Sequence, residues 1–156
     1  ECQDETKAIL DQVMAAIEEL KALTLKDMAA FDDYMKCFRL PKDTDAEKEA
    51  RKQAIQAAAK QATLVPLDIC KQCLELMKQA DKLSRFGNKM AISDVGVGAY
   101  ICEAALRACM LSVDINLPTI KDEAFVNDVL NQRARLFAQA EDYKIKALTY
   151  VKEKMG

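Results

Sequence analysis

The chain has 156 residues, with 25 acidic and 23 basic side chains, no histidine, four glycines and three prolines. A net charge of −2 without a basic block argues against a nucleic-acid partner. No apolar run approaches the ~20 residues that cross a bilayer, so no membrane span is expected.

The length suits a single domain over 1–156, and frequent Ala, Leu, Lys, Glu and Gln with few glycines favour helices. No secretory pattern opens the chain. A chain this long builds its own core, so its six cysteines are expected to be reduced thiols in a cytoplasmic setting.

The first segment runs from about Asp4 to Phe38. Leu10, Val13, Ile17 and Leu20 recur at helical spacing, and the stripe resumes at Met28, Phe31, Met35 and Phe38 after a slip near Leu23–Thr24. This is one amphipathic helix, or two in near continuity. Pro41 in "RLPKDT" ends it. Thr44 and Glu47 then have capping-box spacing, which starts a second helix reaching Leu64. Pro66 predicts a break or a kink.

A third helix begins at Pro66, with Ile69, Cys73, Leu76, Ala80 and Leu83 as its stripe and Gly87 as a left-handed cap. Ser93 is a plausible N-cap for a fourth helix that ends by Pro118. The fifth runs from near Thr119 to about Lys154, with Phe125, Val129, Leu136, Ala140 and Tyr143 facing inward. No stretch alternates with period two. The expected fold is all-α, an antiparallel bundle of about five helices.

"CKQC" at 70–73 has the spacing of half a zinc site or of a redox pair. No strand precedes it and no histidine exists to complete it, while Cys102 and Cys109 lie on the Leu106–Val113 stripe. Small buried hydrophobes are the better reading, and no metal site is expected. "GVGAY" at 96–100 lacks the third glycine of a dinucleotide fingerprint, because position 101 is Ile.

Without histidine, proton transfer near neutral pH needs a carboxylate, Lys, Tyr, Cys or water with a shifted pKa. Asp27 stands out. At 100° per residue it lies within about 40° of Phe31 and about 20° of Tyr34 and Phe38. Apolar rings desolvate a carboxylate and raise its pKa. The other reading is an exposed acid at the stripe margin, as Asp32 and Asp33 look to be. Further polar candidates sit at helix ends: Arg39 and Lys42 beside Pro41, and Asn88, Ser93 and Asp94 around the glycines. Gly96 and Gly98 weaken a helix in its first turns. Such glycines admit either a flat ring or a neighbouring helix.

"KDMAAFDDYMKCFRLPKDT" (26–44), "GNKMAISDVGVGAY" (87–100) and "INLPTIKDEAF" (115–125) occur in this order. Together they resemble the formimidoyltetrahydrofolate cyclodeaminase / methenyltetrahydrofolate cyclohydrolase family, over nearly the whole chain. The resemblance implies an all-α homodimer or higher assembly that binds reduced folate in a helix-lined cleft. It implies a tetrahydrofolate derivative as substrate and no tightly bound cofactor. The family's catalytic aspartate falls on Asp27, in Asp27-x-x-Ala30-Phe31 before "RLPK". Cyclodeaminases of the family close 5-formimidoyl- to 5,10-methenyltetrahydrofolate with loss of ammonia, whereas its cyclohydrolases open the methenyl form with water. Asn88, Ser93, Asp94, Gly96 and Gly98 are then expected at the pterin or imine, and Arg39 or Lys42 at the anionic glutamate tail. Family members also carry a further N-terminal segment with a glycine-rich loop, which is not found here. A helical protein that only assembles or binds partners is the alternative.

Overall fold

A computed structural model describes residues 2–156. The chain forms four long helices: α1 (Cys2–Cys37), α2 (Asp45–Phe86), α3 (Ile92–Asn116) and α4 (Glu123–Met155). Short 3-10 turns at Lys89–Ala91 and Leu117–Thr119 lead into and out of α3. α2 is the axis of the structure, since α1, α3 and α4 all pack on it and α3 also packs on α4. The core lies among α2, α3 and α4, around Leu67, Met77, Leu106, Met110, Val129 and Ala140.

The expected break at Pro66 does not occur; two predicted helices are one, and the bundle has four long helices instead of about five. Pro66 is fully buried inside α2. Its ring removes the N–H that would bond the carbonyl of Ala62. The Nδ2 of Asn116, at the end of α3, donates to that carbonyl at 2.9 Å and so replaces the missing bond. The capping box at the start of α2 is present: Thr44 Oγ1 accepts from Glu47 N–H at 3.2 Å, and Glu47 Oε2 accepts from Thr44 N–H at 2.8 Å.

α1 is continuous through Leu23, without the expected slip. Its inner face is Ile9, Val13, Ala16, Leu20, Leu23, Asp27, Ala30, Tyr34 and Cys37, all buried or half-buried. Most of the larger residues of the predicted stripe, Leu10, Ile17, Met28, Phe31, Met35 and Phe38, are exposed. α2 differs in the same sense, because Ile69, Leu76, Ala80 and Leu83 are half-buried while Cys70, Cys73, Leu74 and Met77 are core. In α4, Val129, Leu136 and Ala140 are buried as expected, with Phe125 and Tyr143 at the core margin.

The α3–α4 connection is tied to α2. Gln56 donates to the carbonyl of Thr119 and accepts from Lys121 N–H, each at 2.7 Å. Lys60 pairs with Asp122 at 2.7 Å and holds that carboxyl below its ordinary range. Asp122 also caps α4, its Oδ1 accepting from Phe125 N–H at 3.0 Å.

The Asn116 bond has a measurable signature. Asn116→Ala leaves a buried carbonyl unpaired and is expected to cost about 1–3 kcal/mol in denaturant unfolding. In a Pro66→Ala background the helix regains its own donor, so the same substitution is expected to cost markedly less. Equal costs in both backgrounds would show that the amide does not compensate for the proline.

Candidate functional site

Asp27 occupies a position of the inner face of α1 where apolar residues stand before and after it, and it is half-buried. Desolvation raises its carboxyl above the ordinary 3.8. Its neighbour across the gap is Cys109 of α3, whose thiol is pushed up by burial and by the charge of Asp27. One turn and two turns further along α1, Ala30 and Tyr34 continue the same face, and the Tyr34 ring meets Phe38 edge-on at 5.1 Å.

Phe38 opens onto a groove of about 370 Å³ at the α1–α2 corner, lined also by Lys42, Lys48, Arg51, Lys52 and Ile55. Lys48 pairs with Asp45 and Lys52 with Glu49. Arg51 donates through Nη2 to the carbonyl of Phe38 at 2.8 Å, while its Nε is buried without a partner. The groove is a cationic pocket with one aromatic wall. It lies about 16 Å along α1 from Asp27, at 1.5 Å per residue. Lys42 was expected from the sequence, whereas Lys48, Arg51 and Lys52 were missed. Three cations on one face of the helix that follows "RLPK" are their only trace in the sequence, and a solvated face carries the same pattern. Arg39 is exposed in the turn and does not line the groove.

The glycine-bearing turn is at the other end of the molecule. Asn88 accepts through Oδ1 from Met90 N–H at 2.9 Å and so starts the 3-10 turn that leads into α3. Ser93 is not the N-cap. α3 begins at Ile92 behind Ala91, with no side-chain cap, and Ser93 lies exposed in the first turn beside Asp94. The two glycines part company. A Cβ on Gly96 would lie 3.2 Å from Val151 Cγ1 and 3.6 Å from Leu148 Cδ2, so Gly96 lets α3 close on α4. A Cβ on Gly98 would meet nothing within 4 Å, so its bareness serves no packing within this chain. Gly87 is not left-handed, with φ −57°; a Cβ there would lie 2.8 Å from the Leu83 carbonyl.

The fold therefore brings Asp27 and Lys42 to the same end of α1, and leaves Asn88, Ser93, Asp94 and Gly98 at the start of α3. About 16 Å of α3 separates Gly98 from Cys109, and more separates Ser93.

The "CKQC" thiols face α3 within the core. Burial pushes Cys70 and Cys73 up to about 12, so both stay protonated at neutral pH, and Cys70 Sγ donates to the Leu106 carbonyl at 3.3 Å. Among the described residues no group of three or more His, Cys, Asp or Glu side chains is arranged to hold a metal.

Comparison with known proteins bears on this arrangement. A methenyltetrahydrofolate cyclohydrolase of Methylorubrum extorquens is 35% identical over the whole chain, which spans 75% of that protein. A formimidoyltransferase-cyclodeaminase of Gallus gallus is 34% identical over 85% of the chain, which spans only 25% of that longer protein. The crystal structure of a formiminotetrahydrofolate cyclodeaminase from Thermotoga maritima superimposes with a TM-score of 0.76, at 29% identity, over 92% of this chain and 69% of that one. The family model described as formiminotransferase-cyclodeaminase matches residues 1–135, which takes in the Asp27 face, the cationic groove and the α3 turn. With its all-helical fold shared as well, the chain belongs to the formiminotransferase-cyclodeaminase family.

Proposed function

We propose that the chain closes 5-formimidoyltetrahydrofolate to 5,10-methenyltetrahydrofolate with release of ammonia, and that Asp27 carries the proton. The observation behind this reading is a carboxyl group set into the apolar face of α1 with its pKa raised by desolvation. In closure, N10 of the folate attacks the formimidoyl carbon and a new N–C bond forms. The N10 proton passes to the Asp27 carboxylate. The formimidoyl group enters protonated, so attack leaves an NH2 group on the carbon; the same proton then goes from Asp27 to that nitrogen, its bond to the carbon breaks, and ammonia leaves. A carboxyl group near its pKa can serve first as base and then as acid. No imidazole is required, which fits a chain without histidine.

The cationic groove supplies the other requirement. Lys42 and Arg51 suit the carboxylates of a glutamate tail, with the Phe38 ring beside its apolar stem. The separation of groove and carboxyl suits an elongated ligand with a flat head and an anionic tail. The free thiols fit a reducing, cytoplasmic setting.

The second reading is cyclohydrolysis at the same carboxylate. There, water adds to the methenyl carbon and gives one proton to Asp27; that proton goes to N5 as the N5–C bond breaks, the hydroxyl proton is lost to solvent, and the 10-formyl product remains. The Methylorubrum relative, matched over the whole chain, favours it. Absorbance of the methenyl chromophore separates the two: it appears from the formimidoyl substrate in one case and disappears with water in the other. No change with either substrate, and no saturable folate binding, would leave a helical assembly protein.

Asp27→Asn is expected to lower turnover about 10²- to 10⁴-fold with folate affinity within a few-fold. Turnover of the native chain is expected to fall with acid through a midpoint above the ordinary 3.8 of an aspartate. Stability moves the opposite way. Folding favours protonated Asp27, so its contribution is fully present below the unfolded value and is lost as pH rises through the folded one. Asp27→Asn is therefore expected to match or exceed the native melting temperature at pH 7, and a large loss there would indicate a structural carboxylate.

Lys42→Ala with Arg51→Ala is expected to raise KM several-fold with kcat nearly unchanged, because tail contacts are alike in ground and transition states. A matching fall in kcat would place these cations at the reacting atoms.

A further inference from the structure

A groove follows the seam between the first half of α1 and the second half of α2, in two adjoining stretches of about 430 and 400 Å³. Gln12 and Gln79 line both stretches and so mark the middle. Its α2 wall carries Gln72, Glu75, Gln79 and Lys82, spaced by three and four on one helix face. Glu19 of α1 joins the Glu75 end, and Arg85 lies beyond Lys82 at the other. Carboxylates, then amides, then cations thus succeed one another along the groove. Small side chains, Ala8, Ala15 and Ala16, keep the α1 wall low.

Gln79 sets this seam apart from ordinary helix packing. The residue is 7% accessible, and its Oε1 is buried without a hydrogen-bond partner. Buried amide oxygens are almost always paired, because an unpaired one forfeits its bond to water. An acceptor left open beside a groove calls for a donor that enters the groove.

The two ends say what carries that donor. Lys21 pairs with Glu18 and leaves Glu19 without a cation among the described residues. The contact from Lys78 to Glu75 is long, at 3.4 Å. This end suits an ammonium group. At the other end Arg85 is drawn onto Asp81 by two bonds of 3.1 Å, and Glu5 also lines the groove, so Lys82 is the cation open to a carboxylate. Glu75 and Lys82 are seven residues apart, about 10 Å along the helix. Three extended residues of polypeptide have the same reach. With the ammonium level with Glu75, the last peptide N–H of such a chain falls about 7 Å along, against about 6 Å for Gln79.

Other occupants fit less well. An aliphatic diamine would set its second ammonium against Lys82. A metal ion at the acidic end would lack ligands, since among the described residues no group of three or more His, Cys, Asp or Glu side chains is arranged to hold one.

We propose that the α1–α2 groove binds a zwitterionic peptide of three residues, its ammonium on Glu19 and Glu75, its last N–H on Gln79 Oε1 and its carboxylate on Lys82. Gln12, on the facing wall, offers its amide to a peptide carbonyl. The site depends on neither Asp27 nor a folate: Glu19 lies about 12 Å along α1 from Asp27, and Gln12 lies further.

Calorimetric titration of the full chain with trialanine is expected to show saturable binding at one site, weaker as ionic strength rises. Dialanine, N-acetyltrialanine and trialanine amide are each expected to bind about ten-fold more weakly. Lys82→Ala is expected to weaken trialanine but leave trialanine amide unchanged, since the amide has no charge for that lysine to meet. Glu19→Gln with Glu75→Gln is expected to weaken trialanine but leave the acetylated form unchanged. Gln79→Leu is expected to weaken trialanine about ten-fold, while the peptide-free variant melts at or above the native temperature because an unpaired buried carbonyl is gone. A native chain that takes up no trialanine, or blocked peptides that bind as well as the free one, overturns the site. A Gln79→Leu chain that melts well below the native one, or does not fold, shows a satisfied amide and overturns it too.

Discussion

The bond from Asn116 to the carbonyl of Ala62 lets α2, on which the rest of the structure packs, run unbroken through Pro66. α2 is the helix on which the other three rest, and Pro66 sits in its interior without the donor that a helix needs there. A side chain from the end of α3 supplies that donor. Secondary structure in α2 is thus conditional on tertiary structure: the helix is whole because its neighbour is docked. The same docking brings Leu106, Met110 and Val113 onto Leu67, Cys70 and Met77. Proline brings rigidity and a displaced carbonyl, and the amide turns that displaced group into a point of registration between two helices.

The all-helical class was legible because each start carries local chemistry, as in the Thr44–Glu47 box, and because no segment alternates. Pro66 was misread, since the compensating residue lies 50 positions away in the chain and no local rule reaches it. α1 was misread for a different reason. It carries apolar residues on two adjacent faces, and size was taken as the sign of the inner one. The inner face instead uses Ala30, beside Ala54, Ala57 and Ala58 of α2, and Ala16, beside Leu76. Small side chains on both helices permit close approach, so the bulky ones are left outside.

The half-buried place of Asp27 on α1 was legible from register, and that of Lys42 at the α1–α2 corner from "RLPK". The remainder of the cationic groove was not, because three lysines and arginines at the start of a helix look like any solvated face until the α1–α2 corner folds over them. The glycines show the limit most plainly. Two positions apart and alike in type, Gly96 and Gly98 point to different sides of one helix, and only the position of α4 tells which is closed.

α1 bears the carboxyl group yet leans on one neighbour. Among its described residues only Ile9 and Leu23 are deeply buried, while α2, α3 and α4 share the compact core. Its detachment is therefore the least costly large opening available to this chain. Such an excursion would carry the half-buried Asp27 away from Cys109 of α3 while the three-helix remainder stayed intact. Opening at Asp27 and global folding are thus separable in this molecule, and the desolvated carboxyl rides on the segment most readily released.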